Sequence, residues 1–200
     1  MLKNLEIIGI DEGHGGPDEE DGQSFEGGAY MTPDASEDDW TLEFGQLLGK
    51  KLTVAGFRVA HSRVHDVLLT REQRRMALAN CDLILSIHVN RLNIAPTASG
   101  LITFRWPGNR LSLAACEQIH RFVPHALRRT GNRDFAVSRH DWTSRAYRVV
   151  STFAPSCVLI EAGFASNVRD LRYLTSDTGK EALAVGLVAA MSALRNGKAA

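Results

Sequence analysis

The stretch IDEGHGG, residues 10–16, places His14 in a glycine-rich turn directly after a short apolar run. That run, residues 5–10, has the length and composition of a buried β-strand bounded by a turn. The chain therefore begins with a strand that presents a histidine at its carboxyl end.

Three later residues stand at comparable positions. Glu37 opens a predicted helix, whereas His88 and Glu161 each directly follow a strongly apolar run. In an open parallel sheet, ligands collect outside the carboxyl ends of the strands, where helix N-termini and loops converge. We therefore expect His14, Glu37, His88 and Glu161 to share one rim of the sheet.

The hydrophobic periodicity of the chain predicts strands that alternate with helices. The predicted strands cover residues 5–10, 57–60, 83–87, 100–106, 146–150 and 157–160. The predicted helices run from the caps Ser36 and Thr70 to about Gly56 and Asn80, and then over residues 112–129, 167–174 and 178–195. Residues 15–36 and 132–145 are predicted loops, and Met76 and Leu78 are placed on the apolar face of the second helix. This alternation indicates an α/β fold, with a mostly parallel twisted sheet flanked by helices on both faces.

Length and composition exclude several classes of protein. Two hundred residues with 44% hydrophobic content suit one domain with a proper core, so we expect a single domain over residues 1–200. Lys plus Arg and Asp plus Glu balance at 23 each, which favours neither nucleic acid nor an anionic membrane as a partner. The three cysteines form no C-x-x-C pair and are expected to be reduced thiols. We find no signal peptide and no stretch long enough to span a membrane.

Two histidines and one glutamate match the ligand set of a catalytic zinc site, which leaves a fourth position for water or substrate. His14, Glu37 and His88 are the predicted ligands, and Glu161 is the candidate acid/base that accepts a proton from the water. Each of these residues also has a purely structural explanation. His14 alone is more often a hydrogen-bonding turn residue, and Glu37 alone is a first-turn charge that suits the helix dipole. His88 and Glu161 are harder to explain in this way, since polar groups at buried strand ends need partners.

Four segments together resemble the successive motifs of a known family. These are IDEGHGG, SEDDWTL, RRMALANCDLILSIHVN and SCVLIEAGFASN, and the likeness runs in order from about residue 7 to the last helix. They are similar to the zinc-dependent N-acetylmuramoyl-L-alanine amidases of the amidase 3 family. The resemblance implies that His14, Glu37 and His88 bind Zn²⁺ and that Glu161 is catalytic. It also implies cleavage of the amide between the lactyl group of N-acetylmuramic acid and L-alanine in peptidoglycan.

The chain departs from the family pattern at several positions. Glu12 stands where the family usually has proline, and the acidic loop before Glu37 is long, so Glu26 is a rival for the second ligand. We keep Glu37 because its spacing to the following residues matches the family. Arg75 and Asn80 match family positions upstream of the second histidine and are expected to be structural.

Other features bear on partners and biological role. His61 and His65 are four residues apart but follow a strand rather than lying on a clear helix, so they are not expected to bind metal. His120 and His125 are predicted to be surface or packing residues. The cell-division members of the family carry an inserted helix that covers the zinc until a partner withdraws it, and residues 90–160 are too short for that insert. We therefore expect an open site that needs no activator, in a protein that is a monomer.

Without a leader or a wall-binding repeat, the chain is similar to a single-domain phage endolysin, which is made in the cytoplasm and acts on the cell wall. A catalytic domain taken from a secreted autolysin remains an alternative. Two further alternatives are a zinc peptidase that cuts within the stem peptide and an inactive protein that only binds the wall.

Overall fold

The structure is a computed structural model that describes residues 5–16, 28–32, 35–92, 97–129, 137–141, 148–153 and 156–197. A central sheet of six strands runs through it, with the strand order β4-β1-β5-β8-β6-β7, and a two-stranded sheet formed by β2 and β3 lies beside it. The strands are β1 Ile7–Glu12, β2 Tyr30–Thr32, β3 Ala35–Ser36, β4 Arg58–His61, β5 Leu83–Asn90, β6 Leu101–Arg105, β7 Val137–Asp141 and β8 Cys157–Phe164.

Most neighbouring strands of the central sheet are parallel. The pairs β1–β4, β1–β5, β5–β8 and β6–β7 are parallel, and β6–β8 is antiparallel. This confirms the predicted mostly parallel sheet. It also brings the carboxyl ends of β1, β5 and β8 to one edge, next to each other.

The helices cover both faces of this sheet, as predicted. They are α1 Glu37–Val54, α2 Arg71–Ala77, α3 Arg110–Arg129, α4 Arg148–Thr152, α5 Val168–Leu174 and α6 Asp177–Arg195. One face packs against α1, α3 and α6 in the main hydrophobic core. The other face carries two smaller clusters that include Leu78 after α2 and Val150 in α4. Because both faces are covered, the central strands β5 and β8 are apolar almost throughout.

The apolar stripe of helix α1 fixes the position of this helix on the sheet. Ser36 is its N-cap, and apolar residues recur at helical spacing, so that Trp40, Phe44 and Leu48 are buried against the sheet. The rings of Trp40 and Phe44 stack at a centroid distance of 4.8 Å. Burial of this stripe places the first turn of α1, with Glu37, at the edge where β1 and β5 end.

The structure corrects four predictions about local structure. The predicted loop over residues 132–145 contains β7, which forms by main-chain pairing with β6 at the edge of the sheet and so needs no apolar run in its sequence. The predicted strand over residues 146–150 is wrong in its described part, where α4 begins at Arg148 and Val150 packs on β8. Met76 is 65% exposed rather than on the buried face of α2. The predicted loop over residues 15–36 contains β2 and β3, while residues 17–27 of it lie outside the described residues.

The three cysteines form no disulfide. None of the helices in the described part of the chain is long and apolar enough to cross a membrane.

Candidate metal centre

The turn after β1 holds His14 in an unusual conformation. His14 has φ 60°, and Gly15 and Gly16 follow with φ 126° and 96°. Only glycine adopts such angles freely, so the two glycines allow the chain to reverse directly after the histidine. Gly13 is needed for another reason, since a Cβ atom there would lie 2.5 Å from Cε1 of His88. The main chain before His14 therefore passes directly against the imidazole of His88.

The carboxylate of Glu37 is oriented by main-chain groups. Its Oε2 accepts a hydrogen bond from the Ala29 N–H at 2.8 Å, and its Oε1 accepts one from the Val89 N–H at 2.8 Å. The side chain is buried at the start of α1. A first-turn glutamate that only complemented the helix dipole would face solvent. Glu37 instead faces inward, between the end of β5 and the segment before β2.

The three predicted ligands converge. Nε2 of His14 lies 3.4 Å from Oε1 of Glu37, and Nδ1 of His88 lies 3.1 Å from the same oxygen. The two imidazole rings meet edge to face at a centroid distance of 5.1 Å. One potential ligand atom from each residue lies within 4.8 Å of the others, and the described residues contain no other group of this kind.

The charges of these groups are coupled. Burial alone would raise the pKa of Glu37, but hydrogen bonds and charge from His14 and His88 outweigh it and hold that pKa well below its ordinary value. Burial alone would likewise lower the pKa of His88, and Glu37 reverses this effect. The site therefore contains an ionised carboxylate between two imidazoles. Two nitrogens and one oxygen are a donor set that suits zinc and related divalent cations, so the residues present fit such an ion.

Glu161 lies beside this group on the neighbouring strand. In the parallel pair of β5 and β8, Glu161 is the register partner of His88. Its side chain is 8% exposed, and its buried Oε2 has no hydrogen-bond partner within the described ranges. Burial raises the pKa of Glu161 to about 7, an effect that the His88 charge opposes and the Glu37 charge reinforces. Near neutral pH, Glu161 therefore populates both its protonated and its ionised form.

The arginine that contacts the His14 turn is Arg74 and not Arg75, the residue predicted to be structural. Arg75 is exposed and pairs with Glu72 at 2.5 Å, and Asn80 is also exposed. Arg74 is buried instead. Its Nη1 donates to Oδ1 of Asp11 at 2.9 Å, and its Nη2 donates to the carbonyl of His14.

The sequence carried a signal for this choice. Arg74 precedes the buried Leu78 by four residues, so the two share a helix face, whereas Arg75 faces solvent.

Four further histidines with described side chains lie outside the three candidate ligands. Nδ1 of His61 donates to Oε1 of Glu12 at 2.6 Å, and Nε2 of His120 lies 2.8 Å from Oγ1 of Thr103. His65 and His125 are exposed. The placements of His120 and His125 agree with their prediction as packing or surface residues. Glu26, the rival for the second ligand, lies outside the described residues.

Comparison with known proteins identifies the family of this chain. The sequence profile of the amidase 3 family, described as N-acetylmuramoyl-L-alanine amidase, matches residues 8–193. No curated protein sequence matches the chain significantly.

Among solved structures, the chain resembles the catalytic domain of CwlV, an N-acetylmuramoyl-L-alanine amidase from Bacillus (Paenibacillus) polymyxa var. colistinus. The TM-score is 0.74 at 20% identity, covering 98% of this chain and 100% of that one. An N-acetylmuramoyl-L-alanine amidase from Clostridium difficile 630 gives a TM-score of 0.71 at 22% identity, covering 94% and 95% of the two chains. The CwlD amidase from Clostridioides difficile, in complex with the GerS lipoprotein, gives 0.71 at 21% identity, covering 96% and 99%.

At these identities the structural likeness shows a shared fold, a mostly parallel sheet flanked by helices. The family profile goes further, because it spans almost the whole chain, including the turn of His14, the start of α1 and the ends of β5 and β8. This chain belongs to the amidase 3 family of N-acetylmuramoyl-L-alanine amidases.

Proposed function

We propose that this protein hydrolyses the amide between the lactyl group of N-acetylmuramic acid and L-alanine in peptidoglycan. One observation carries the proposal: His14, Glu37 and His88 converge within reach of a single cation, and the buried carboxyl of Glu161 stands next to them. Family membership supplies the substrate class. The site supplies the groups that such a hydrolysis needs.

His14, Glu37 and His88 would hold a zinc ion. Bound there, zinc would supply Lewis-acid chemistry, lowering the pKa of a coordinated water and polarising the scissile carbonyl. The protein contributes orientation, because the Ala29 and Val89 N–H groups keep the Glu37 carboxylate turned toward the two imidazoles.

Glu161 would move the proton. A carboxylate accepts a proton from the attacking water, and the resulting acid then donates it to the departing alanine nitrogen. Such a shuttle works best when its pKa is close to the working pH, and burial raises the pKa of Glu161 to about 7. Its Oε2, which has no hydrogen-bond partner in the described structure, is available for both transfers.

Product analysis on purified peptidoglycan tests the reaction. An amidase releases a new L-alanine amine together with a free lactyl carboxyl group. New termini elsewhere in the stem peptide would show a zinc peptidase, and binding without new termini would show an inactive wall-binding protein. Either of the last two results would replace the proposal.

We also propose that the enzyme works as a monomer without an activator. Residues 91–100 connect β5 to β6, which is a short connection after His88, and its described part contains no helix that could cover the site. The test is digestion of purified walls by the protein alone, with its mass measured in solution. Activity that appears only after a second protein is added would contradict this proposal; the similar CwlD amidase was solved in complex with a lipoprotein.

The biological role that we propose is host lysis by an endolysin made in the cytoplasm and acting on the cell wall. This role rests on the sequence resemblance. It is tested by producing the protein in a bacterium with and without a membrane-permeabilising agent. Lysis only in the presence of the agent supports the role, whereas the absence of lysis under both conditions contradicts it.

A further inference from the structure

Arg63, which follows β4, is a buried arginine that the proposed mechanism does not use. We propose that Arg63 is a positioning residue: it fixes the separation between the main-chain segments that carry His14 and Glu37, and so sets the shape of the metal site. The inference rests on the proposed zinc site and assigns it a supporting residue.

The contacts of one guanidinium nitrogen carry the inference. Nη2 of Arg63 donates to the carbonyl of Gly13 at 3.2 Å and to the carbonyl of Asp38 at 2.6 Å. Gly13 directly precedes His14, and Asp38 directly follows Glu37. A single rigid group therefore touches the main chain beside two of the three ligands.

Thr41 makes a second connection between the same segments. Its Oγ1 donates to the carbonyl of Gly13 at 2.7 Å and accepts a hydrogen bond from Nη2 of Arg63 at 3.2 Å. The hydroxyl is fully buried in the second turn of α1. The adjacent side chains of Arg63 and Thr41 therefore both join the turn of His14 to the start of α1.

The position of Arg63 is itself determined by acidic groups. The carboxylate of Glu12 accepts a hydrogen bond from the Arg63 main-chain N–H at 3.2 Å, and Nε of Arg63 donates to the Glu12 carbonyl at 3.3 Å. Nη1 lies 3.6 Å from Oδ1 of Asp66, and that oxygen accepts a hydrogen bond from the Gly16 N–H at 2.8 Å. The buried positive charge is therefore compensated, and the guanidinium is held from both ends of the glycine-rich turn.

Arginine suits this role better than lysine. Its guanidinium is planar and offers five donors in a fixed fork, whereas a lysine ammonium is a point charge on a flexible stem. Lysine at position 63 would keep the charge but could not hold Gly13, Asp38 and Glu12 at once. The substitution therefore separates positioning from charge compensation.

The experiment measures metal binding by the apoprotein. Zn²⁺ affinity is measured by competition with a chromophoric chelator, and Co²⁺ is added separately because its visible spectrum reports ligand geometry. The test variants are Arg63→Lys and the milder Thr41→Val. The controls are Arg75→Lys, which changes an exposed arginine of the same charge, and Leu187→Ala, which lowers stability through the core of α6.

We expect both test variants to bind Zn²⁺ about 10- to 100-fold more weakly, the usual effect of changing a residue that orients a metal ligand. Their Co²⁺ spectra should shift in band position or intensity. Arg75→Lys and Leu187→Ala should keep the wild-type affinity and spectrum, the latter despite a lower melting temperature. Should Arg63→Lys fail to fold, Thr41→Val carries the test.

Wild-type affinity and an unchanged Co²⁺ spectrum in the folded test variants would overturn the positioning role. His14→Ala distinguishes this outcome from failure of the proposed function. If His14→Ala loses Zn²⁺ while the test variants keep it, only the role of Arg63 is wrong. If His14→Ala binds Zn²⁺ like the wild type, the metal site itself is wrong and the role of Arg63 falls with it.

Discussion

At the level of single residues, the carboxyl group of Glu161 differs from that of Glu37. Glu37 is held ionised by its hydrogen bonds, whereas Glu161 has one oxygen without a partner in the described structure and a pKa raised to about 7. The two carboxyl groups are therefore suited to different tasks. Glu37 fits a permanent metal ligand, and Glu161 fits a group that exchanges a proton.

This difference predicts the effect of Glu161→Gln. The amide keeps the size of the side chain but cannot accept the proton, so we expect kcat to fall by roughly 10²- to 10⁴-fold. Zinc content should stay at the wild-type level, because Glu161 is not among the proposed ligands. Wall digestion and metal analysis of the same sample measure both quantities. The control is Glu117→Gln, which changes an exposed glutamate of α3; a Glu161→Gln enzyme as active as this control would refute the role.

At the scale of secondary structure, α1 packs close to β1 because glycine faces the buried carboxyl of Glu12. A Cβ atom at Gly45 would lie 2.7 Å from Cγ and Oε1 of Glu12. At Gly49 it would lie 2.5 Å from Nε2 of His61, the residue that donates to Glu12. The hydrogen-bonded pair of Glu12 and His61 therefore fits under α1 because Gly45 and Gly49 have no side chains.

Gly45→Ala should consequently destabilise the protein. Alanine favours a helix over glycine by about 1 kcal/mol. Overpacking against an interior group costs about 1–3 kcal/mol, so we expect a net loss of up to about 2 kcal/mol. The free energy of unfolding is measured in urea. Lys50→Ala, at an exposed position of the same helix, should change stability little, and a Gly45→Ala protein more stable than wild type would show that α1 has room to move.

Across the molecule, the proposed metal binding should be coupled to folding, because the three proposed ligands come from β5, α1 and the turn after β1. Unfolding separates them and destroys the site. A cation that binds only the folded protein stabilises it by mass action, by about 2.7 kcal/mol when its free concentration is 100 times its Kd. The melting temperature is the simplest measure of this coupling.

We expect Zn²⁺ at that concentration to raise Tm by about 5–10 °C over the chelated apoprotein, given the usual relation between stability and Tm for a chain of this size. His14→Ala should show a much smaller rise. Differential scanning calorimetry with and without chelator measures the shift. An equal rise in His14→Ala would mean that zinc stabilises the protein through other residues.

Two of the three cysteines lie in the hydrophobic core, which predicts low reactivity of their thiols. Cys116 and Cys157 are fully buried, and burial, followed by the charge of Asp11, raises the pKa of the Cys157 thiol well above its ordinary value. The thiolate is the reactive form, so a raised pKa makes it scarcer near neutral pH.

In native buffer we therefore expect only the partly exposed Cys81 to react with a disulfide reagent within minutes, and all three thiols to react in denaturant. A Cys81→Ser variant should show almost no fast reaction. Prompt release of two equivalents from folded Cys81→Ser would contradict the closed core.

The sequence alone determined the apolar strands β1, β5 and β8, the helices α1, α3 and α6, and the positions of His14, Glu37, His88 and Glu161 at the rim. These features are local: apolar runs, helical periodicity and the residues that directly follow them are visible along the chain. The rim follows from the parallel topology that such alternation favours.

The groups that complete the site could be identified only from the folded chain. The fold buries Arg74 against the turn of His14 and leaves Arg75 exposed. It places Arg63 between the segments of His14 and Glu37, and it pairs the buried Glu12 with His61. It also turned a polar segment into the edge strand β7. These outcomes depend on contacts between residues far apart in sequence. The free energy of a buried charge depends on the partners that the fold brings to it, and residue type and spacing do not show those partners.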